Sequence, residues 1–291
     1  EMGVDFKGGR DYKVRFEKNI NTTALKSDLD ATFGGGTVVK TYGQDNQIKA
    51  STSYRVAEQG ETVDLDAETK LYEGCKKYLN GASFETFKSK NLMSSTKVAP
   101  TISAAIKSTS ILAAALALAA MFIYILIRFK KWQYSMGAIA ATAHDTLFVL
   151  AIFSIFSNIL PFSLEIDQAF IAAILTVIGY SINDTVIVFD RLREYLAEDP
   201  KSRIAGVCNK AINSTLTRTF NTSLTTIFVV IVLFIFGGEA IRGFSFALIL
   251  GIAIGTYSSI FIATPVMVDL MKDKEPEQIA ANTKTTPNRK K

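Results

Sequence analysis

Ionisable residues interrupt three of the apolar stretches of this 291-residue chain, where they could carry proton or ion chemistry. Asp184 and Arg218 occur in consecutive apolar stretches, and His144 and Asp145 lie near the middle of an earlier one. Charged groups are costly inside a membrane span, so those that occur there are candidates for function. The predicted residues for proton relay or ion coupling are Asp184, Arg218, Asn183, Asp145, His144 and Thr222.

The elements that must position these residues are predicted to be membrane-spanning helices. The chain has 48% hydrophobic residues and a mean hydropathy of +0.23, which is high for a soluble protein. A helix needs about 20 apolar residues to cross a bilayer, and five stretches meet or approach that length. We predict a helical bundle over residues 106–271, with spans at about 108–127, 134–156, 168–189, 219–236 and 243–268.

The first candidate site pairs Asp184 with Arg218. At 1.5 Å per residue, Asp184 lies about 7 Å from the middle of its span near Gly179, and Arg218 enters the next span at a similar depth. A carboxylate in this setting could bind and release protons. A static ion pair that fixes the register of the two helices is the alternative, and the charges alone do not decide between them.

Arg218 also begins a polar stripe on its helix. Its members share one helix face and should meet a partner helix or a hydrated path, because lipid offers them no hydrogen bonds. The stripe comprises Arg218, Asn221, Thr222, Thr225 and Thr226.

The remaining charges near the spans have more than one interpretation. His144 and Asp145 could form a second protonatable site, or pack and hydrogen-bond only, because neighbouring positions point to different helix faces. Asp190, beside Arg191 and Arg193, is expected at the membrane boundary, where long charged side chains reach water. The connector over residues 191–217 is predicted to be an interfacial helical segment broken near Asp199 and Pro200.

Lysine and arginine in the short loops predict the orientation of the spans. Arg128, Lys130 and Lys131 follow the first span, whereas residues 157–168 contain neither residue type. Basic loops remain in the cytoplasm, so we predict an external N-terminal domain and a cytoplasmic C-terminus, with a disordered tail over residues 272–291. The two cysteines then lie on opposite sides of the membrane and cannot pair. The net charge of +5 is explained by these loops, and nucleic-acid binding is not expected.

Residues 1–105 are predicted to form an extracytoplasmic α+β domain. Its alternating strand and helix signals give the order strand, helix, strand, strand, helix, strand of a ferredoxin-like fold. The helices are expected over residues 22–33 and 64–79, and an extended segment over 83–98 closes the domain. No catalytic, metal-binding or nucleotide-binding constellation occurs in the sequence of this domain, so the chain is not expected to be an enzyme.

Four sequence segments resemble the SecD/SecF family of the resistance-nodulation-division superfamily, and the SecF branch in particular. The first, G-V-D-F-K-G-G, supplies the family-motif residues Gly3, Asp5, Gly8 and Gly9. The second, G-Y-S-I-N-D-T-V-I-V-F-D-R-L-R, covers residues 179–193, and segments 211–226 and 251–265 follow in the same order. The resemblance covers nearly the whole chain.

The resemblance implies an accessory subunit of the Sec protein-export machinery in the cytoplasmic (inner) membrane. It implies six helices, with the sixth before Glu1, in a separate SecF or in the SecF half of a fused SecDF. The implied partners are a SecD half or subunit, the SecYEG channel, the translocating polypeptide and membrane lipid. Asp184 and Arg218 match positions proposed to couple export to an H⁺ or Na⁺ gradient, and no other cofactor is implied.

Two other functions stay open. A different resistance-nodulation-division transporter would move a small molecule or lipid, although such exporters carry large paired external domains that this chain lacks. A scaffold subunit without transport activity would use Asp184 and Arg218 only to hold helices together.

Overall fold

The structure is a computed structural model that describes residues 2–157, 159–160, 162–199 and 202–271. These residues divide into two compact units. The first unit comprises the described parts of residues 1–113, 151–173 and 232–247, and the second those of 114–150, 174–231 and 248–271.

The soluble part of the first unit contains a four-stranded antiparallel sheet with two longer helices. The strand order β2-β3-β1-β4 is that of the predicted ferredoxin-like arrangement. In chain order its elements are α1 (Val4–Lys7), β1 (Gly9–Arg15), α2 (Thr22–Phe33), β2 (Val38–Tyr42), β3 (Gln44–Thr52), α3 (Glu61–Cys75), α4 (Phe84–Thr86) and β4 (Leu92–Val98).

One side of the sheet packs against α2 and α3 to form the core. Helix α2 begins where the Asn21 side chain accepts hydrogen bonds from two backbone N–H groups, and ends at Gly34, whose φ of 84° suits a left-handed cap. Its buried Leu25 and Leu29 meet Leu71 of α3. The core residues are Tyr12, Val14, Phe16, Leu25, Leu29, Phe33, Ile48, Ala50, Ala67, Leu71, Cys75, Leu79 and Phe87.

The extended segment predicted over residues 83–98 is wrong in its first half. Ser83 caps α4, a π-helical turn follows over Phe87–Asn91, and only Leu92–Val98 is a strand. Phe87 is fully buried, and the helical turn is what carries its ring into the core. The alternation of residue types gave no sign of this turn, because only Phe87 of the segment enters the core cluster.

Five helices in the described residues are long and apolar enough to cross a membrane, as predicted. They exceed the predicted apolar spans, because each helix continues beyond its most hydrophobic window. Their bounds are α5 (Pro100–Phe129), α6 (Trp132–Phe156), α7 (Gln168–Glu198), α8 (Ile204–Phe236) and α9 (Glu239–Ser258), the last extended by a π-helical turn (Ser259–Ala263) and α10 (Thr264–Met271).

The connector after α7 differs from the predicted separate interfacial helix. Helix α7 continues to Glu198 and α8 starts at Ile204, so most of residues 191–217 extends the two spanning helices. The break falls near Asp199, where it was predicted. Pro200, the tail over residues 272–291 and any helix before Glu1 lie outside the described residues.

Candidate functional site

Asp184 lies on α7 in the second unit, with no accessible surface in this chain. Its Oδ2 accepts hydrogen bonds from Ser223 on α8 at 3.3 Å and from Thr256 on α9 at 3.4 Å. These two hydroxyl oxygens also lie 2.6 Å apart; each hydroxyl has one proton, so when one donates to the other, only one of them donates to Asp184 at a time. The other oxygen, Oδ1, is buried and has no hydrogen-bond partner among the described residues. Among the described residues, the buried Asp184 carboxylate therefore receives hydrogen bonds from hydroxyl groups alone, and these bonds are long. One of its two oxygens accepts none from these residues.

The predicted ion pair between Asp184 and Arg218 is wrong for this structure. Within the described residues the Asp184 carboxylate makes no salt bridge, and Arg218 is exposed. The physical reason is helical geometry: Ser223 follows Arg218 by five residues, so the two side chains point about 140° apart around α8. Arg218 instead lines a cleft with Asp190, Arg191 and other residues of α7 and α8.

The polar stripe that begins at Arg218 lies on a face of α8 that this chain leaves largely uncovered. Asn221, Thr222 and Thr225 are exposed, and the Thr222 hydroxyl bonds to the backbone of its own helix, at Thr219. Among the hydrogen bonds of the described residues, those of the stripe reach another helix only at Thr226, which lies 3.3 Å from the Tyr180 hydroxyl. Asn183, also predicted as a site residue, is exposed on α7.

The second carboxylate, Asp145 on α6, is also fully buried. Its Oδ2 accepts hydrogen bonds from Ser181 of α7 and Ser258 of α9, both at 2.7 Å. His144 Nδ1 lies 3.2 Å from Oδ1 of the same carboxylate, although the two residues are neighbours, and the imidazole stacks near Phe148. Asp145 thus holds three helices together through two short hydrogen bonds.

Helices α7 and α9 cross closely beside the Asp184 and Asp145 sites. A Cβ added to Gly251 would lie 2.1 Å from a methyl group of Val177, and one added to Gly255 would lie 3.0 Å from Cβ of Ser181. Gly251 and Gly255, four residues apart, therefore both face α7. The close approach brings Thr256 and Ser258 within reach of Asp184 and Asp145.

Sequence reasoning missed Ser223, the α8 ligand of Asp184. Thr215, Thr219 and Ser223 recur every four residues and are all buried, so they form the packed face of α8. This spacing was the available signal, but the longer polar stripe on another face drew the prediction. The bonds of Ser181 and Ser258 to Asp145 were not predicted either.

Asp190, predicted at the membrane boundary, forms ion pairs with two arginines. Its carboxylate is partly exposed and lies 2.9 Å from Arg128 of α5 and 3.5 Å from Arg193. Across the parts of the chain that the structure describes, no three His, Cys, Asp or Glu side chains cluster to hold a metal ion. Cys75 and Cys208 are both buried and unpaired.

The family-motif residues lie in the first unit, beside the start of α7. The Gly3 N–H donates to the Ile166 carbonyl at 3.0 Å, and the Asp5 carboxylate accepts from the Gln168 N–H at 3.1 Å. Gly8 and Gly9 have φ of 74° and 157°, and a Cβ on Gly9 would lie 2.9 Å from Val4. The motif therefore folds the chain tightly against residues 165–168.

Five spanning helices, a small antiparallel sheet and buried carboxylates define a multi-span membrane protein with a ferredoxin-like domain. Residues 79–273 match the family model for the C-terminal part of the protein export membrane proteins SecD and SecF. The chain belongs to the SecD/SecF family.

Relatives and a solved structure agree with this assignment. The protein translocase subunit SecF of Rhodothermus marinus is 43% identical over 93% of this chain and 83% of its own length. That of Vibrio alginolyticus is 36% identical over 94% and 81%. A crystal structure of SecDF, a translocon-associated membrane protein of Thermus thermophilus, superposes with a TM-score of 0.77 at 29% identity. It matches 93% of this chain, which spans only 34% of that longer protein.

Proposed function

We propose that this chain is an accessory subunit of Sec protein export that uses an H⁺ or Na⁺ gradient through Asp184. It acts in the cytoplasmic membrane with a SecD half or subunit, beside the SecYEG channel, on a polypeptide in transit. The soluble domain is extracytoplasmic and the C-terminus is cytoplasmic, as the basic loops favour. Family membership supports the export role.

The observation that carries the proposed mechanism is the environment of Asp184. An ionised carboxylate buried in a span without a cation is costly, and binding a proton or a coupling cation relieves that cost. With a proton bound, the carboxylic acid could donate a hydrogen bond to Ser223 or Thr256, which now donate to it. A change of occupancy at Asp184 would therefore rearrange the hydrogen bonds between α7, α8 and α9.

Arg218 has a different role in this proposal from the predicted ion pair with Asp184. Its guanidinium has no ion-pair partner among the described residues and lies on the uncovered polar face of α8. This face, with Asn183 and Thr222, would line the ion path together with the SecD half. Asp145 and His144 would support the path by holding α6 against α7 and α9.

Replacement of Asp184 by Asn tests the proposal in cells that depend on this chain for export. The amide keeps the shape of the side chain but cannot exchange a proton, so we expect precursor proteins to accumulate at normal levels of the subunit. Glu198→Gln is the matched control on the same helix, because Glu198 is exposed and is not among the residues that line the cleft with Arg218. Export in Asp184→Asn cells equal to that of the control would overturn the proposal, and lost drug resistance with intact export would favour a small-molecule transporter.

A further inference from the structure

A buried ion network joins the sheet of the soluble domain to the segment that precedes α7. The Lys49 ammonium on β3 lies 2.9 Å from Asp11 on β1 and 2.6 Å from Glu165. The three side chains are 11–15% exposed, so nearly all of this network is removed from water. The Ser163 hydroxyl donates to the second oxygen of Glu165 at 2.9 Å. All of these residues belong to the first unit.

Charge balance makes Lys49 the centre of this network. Burial alone would lower the pKa of the Lys49 ammonium, but the adjacent Glu165 and Asp11 carboxylates raise it above its usual value. Burial raises the pKa of Asp11, an effect that Lys49 opposes. Loss of the ammonium would leave two carboxylates close together with little water to solvate them.

A second set of contacts fastens the same segment from the N-terminal motif. Met2 and Ile166 form an isolated parallel β-bridge, and Asp5 accepts the hydrogen bond of the Gln168 N–H, the first backbone donor of α7. A carboxylate at this position also interacts favourably with the helix dipole. The motif and the ion network therefore hold one short segment, residues 165–168, from two sides.

A third contact comes from the start of α9. Glu239, whose side chain is 4% exposed, accepts from the Ser163 N–H at 3.4 Å and pairs with Arg242 at 2.6 Å. Gly43, at the turn between β2 and β3, approaches the same glutamate closely enough that an added Cβ would lie 3.6 Å from Glu239 Cβ. The domain thus contacts the beginnings of both α7 and α9.

We propose that Lys49 is a positioning residue for export, because its ion pairs clamp the soluble domain to the segment that begins α7. The clamp itself does not depend on the proposed function, but its effect on export does. That effect is expected because Asp184 lies on α7, sixteen residues after Gln168. The clamp makes the domain and the N-terminal end of α7 move as one body.

Cross-linking measures the clamp directly. Paired strands bring Cα atoms into the range that a disulfide requires, so the variant Met2→Cys with Ile166→Cys reports whether the domain and the segment are together. In membranes that also contain the SecD half, we expect rapid disulfide formation. Lys49→Met should slow it roughly tenfold or more, because the unpaired carboxylates repel each other, and Lys49→Arg should restore much of the rate.

Lys13→Met is the matched control. Lys13 lies directly opposite Lys49 in the register of β1 and β3, and both lysines line one cleft beside Glu165. The Lys13 ammonium, however, lies over the Tyr42 ring, 4.6 Å from its centre. We expect this variant to cross-link at the unmodified rate. An equal effect of Lys13→Met and Lys49→Met would overturn the assignment of the clamp to Lys49.

Loss of folding is separated from loss of the clamp by the buried Cys75 thiol. In a Cys208→Ser background without the engineered cysteines, Cys75 should stay unreactive toward maleimide in Lys49→Met. If Cys75 becomes reactive in Lys49→Met, the test uses Glu165→Gln instead. This variant removes the ion pair with Lys49 without changing a residue of the sheet. Unchanged cross-linking in a folded variant would overturn the inference.

Export assays on the same variants complete the test. We expect Lys49→Met to lose export and the oxidised disulfide to restore it, with the rescue lost on reduction. A clamp that opens in Lys49→Met without any effect on export would overturn the positioning role. Failure of the proposed function appears separately, as normal export in Asp184→Asn.

Discussion

Asp145 and Asp184 are both buried carboxylates, but their hydrogen bonds differ in a way that separates their roles. Both donors to Asp145 lie at 2.7 Å, the length of a strong hydroxyl–carboxylate bond. The donors to Asp184 lie at 3.3 and 3.4 Å, near the upper limit for a hydrogen bond, and one oxygen has no partner among the described residues. We therefore expect Asp145 to hold helices together and Asp184 to exchange an ion.

The structural role of Asp145 predicts a specific loss of stability in Ser258→Ala. This change removes one of two donors to a buried carboxylate, so the free energy of unfolding should fall by about 1–3 kcal/mol. Ser259→Ala is the matched control, because that buried hydroxyl bonds only to the backbone of its own helix, at Thr256. Thermal unfolding in detergent compares the two, and equal losses would contradict the assigned role.

Cys75 offers a test of the soluble core by pH. Burial raises the pKa of its thiol to about 12, whereas an exposed thiol titrates near 9. The thiolate is the reactive form, so at pH 8 the folded domain should react with a maleimide about a thousandfold more slowly than the unfolded chain. Above pH 9 the unfolded chain loses the thiol proton, whereas the folded domain keeps it. The thiol's contribution to stability therefore falls as the pH rises further. Labelling of a Cys208→Ser variant measures both effects, and rapid reaction at pH 8 would show that Cys75 is accessible.

At the scale of elements, the sequence predicted the helices well because long apolar runs have few other solutions. All five spans and the strand order of the soluble domain were anticipated. The sequence did not show which face of each helix packs against its neighbours. Periodicity shows that Arg218 and Thr222 share one face of α8, and that Thr215 and Ser223 share another, but it does not show which face meets α7.

Contacts between residues distant in the sequence could not be predicted either. Lys49 and Glu165 are 116 residues apart, and each has the composition of an ordinary surface position. Only the fold brings them together, through the register of β1 with β3 and the fastening of residues 165–168 by the N-terminal motif. Glu165 was noted only as part of a loop without basic residues.

The crossing of α7 and α9 leads to a prediction about helix packing. Gly251→Ala places a methyl group against Val177, where an added Cβ would lie at 2.1 Å, so the two backbones must separate. Gly179→Ala on α7 is the control, because its added Cβ meets nothing within 4 Å. We expect Gly251→Ala to lower the melting temperature of the purified protein and Gly179→Ala to leave it unchanged or raise it. The reverse order would contradict the described crossing.

For the whole molecule, α7 is one of five long helices whose residues fall in both compact units. Its first residues, 168–173, belong to the unit that contains the sheet, and residues 174–198 to the unit that contains both buried carboxylates. The Lys49 network fastens the segment just before α7, and Asp184 lies on the helix itself.

The most direct measurement of this account is the completion of precursor translocation into membrane vesicles with and without an imposed ion gradient. The vesicles contain the SecYEG channel, the SecD half and either the unmodified chain, Asp184→Asn or Glu198→Gln. The account predicts that an H⁺ or Na⁺ gradient accelerates completion with the unmodified chain and with Glu198→Gln, but not with Asp184→Asn. Acceleration of the Asp184→Asn vesicles to the same extent as the unmodified ones would contradict it.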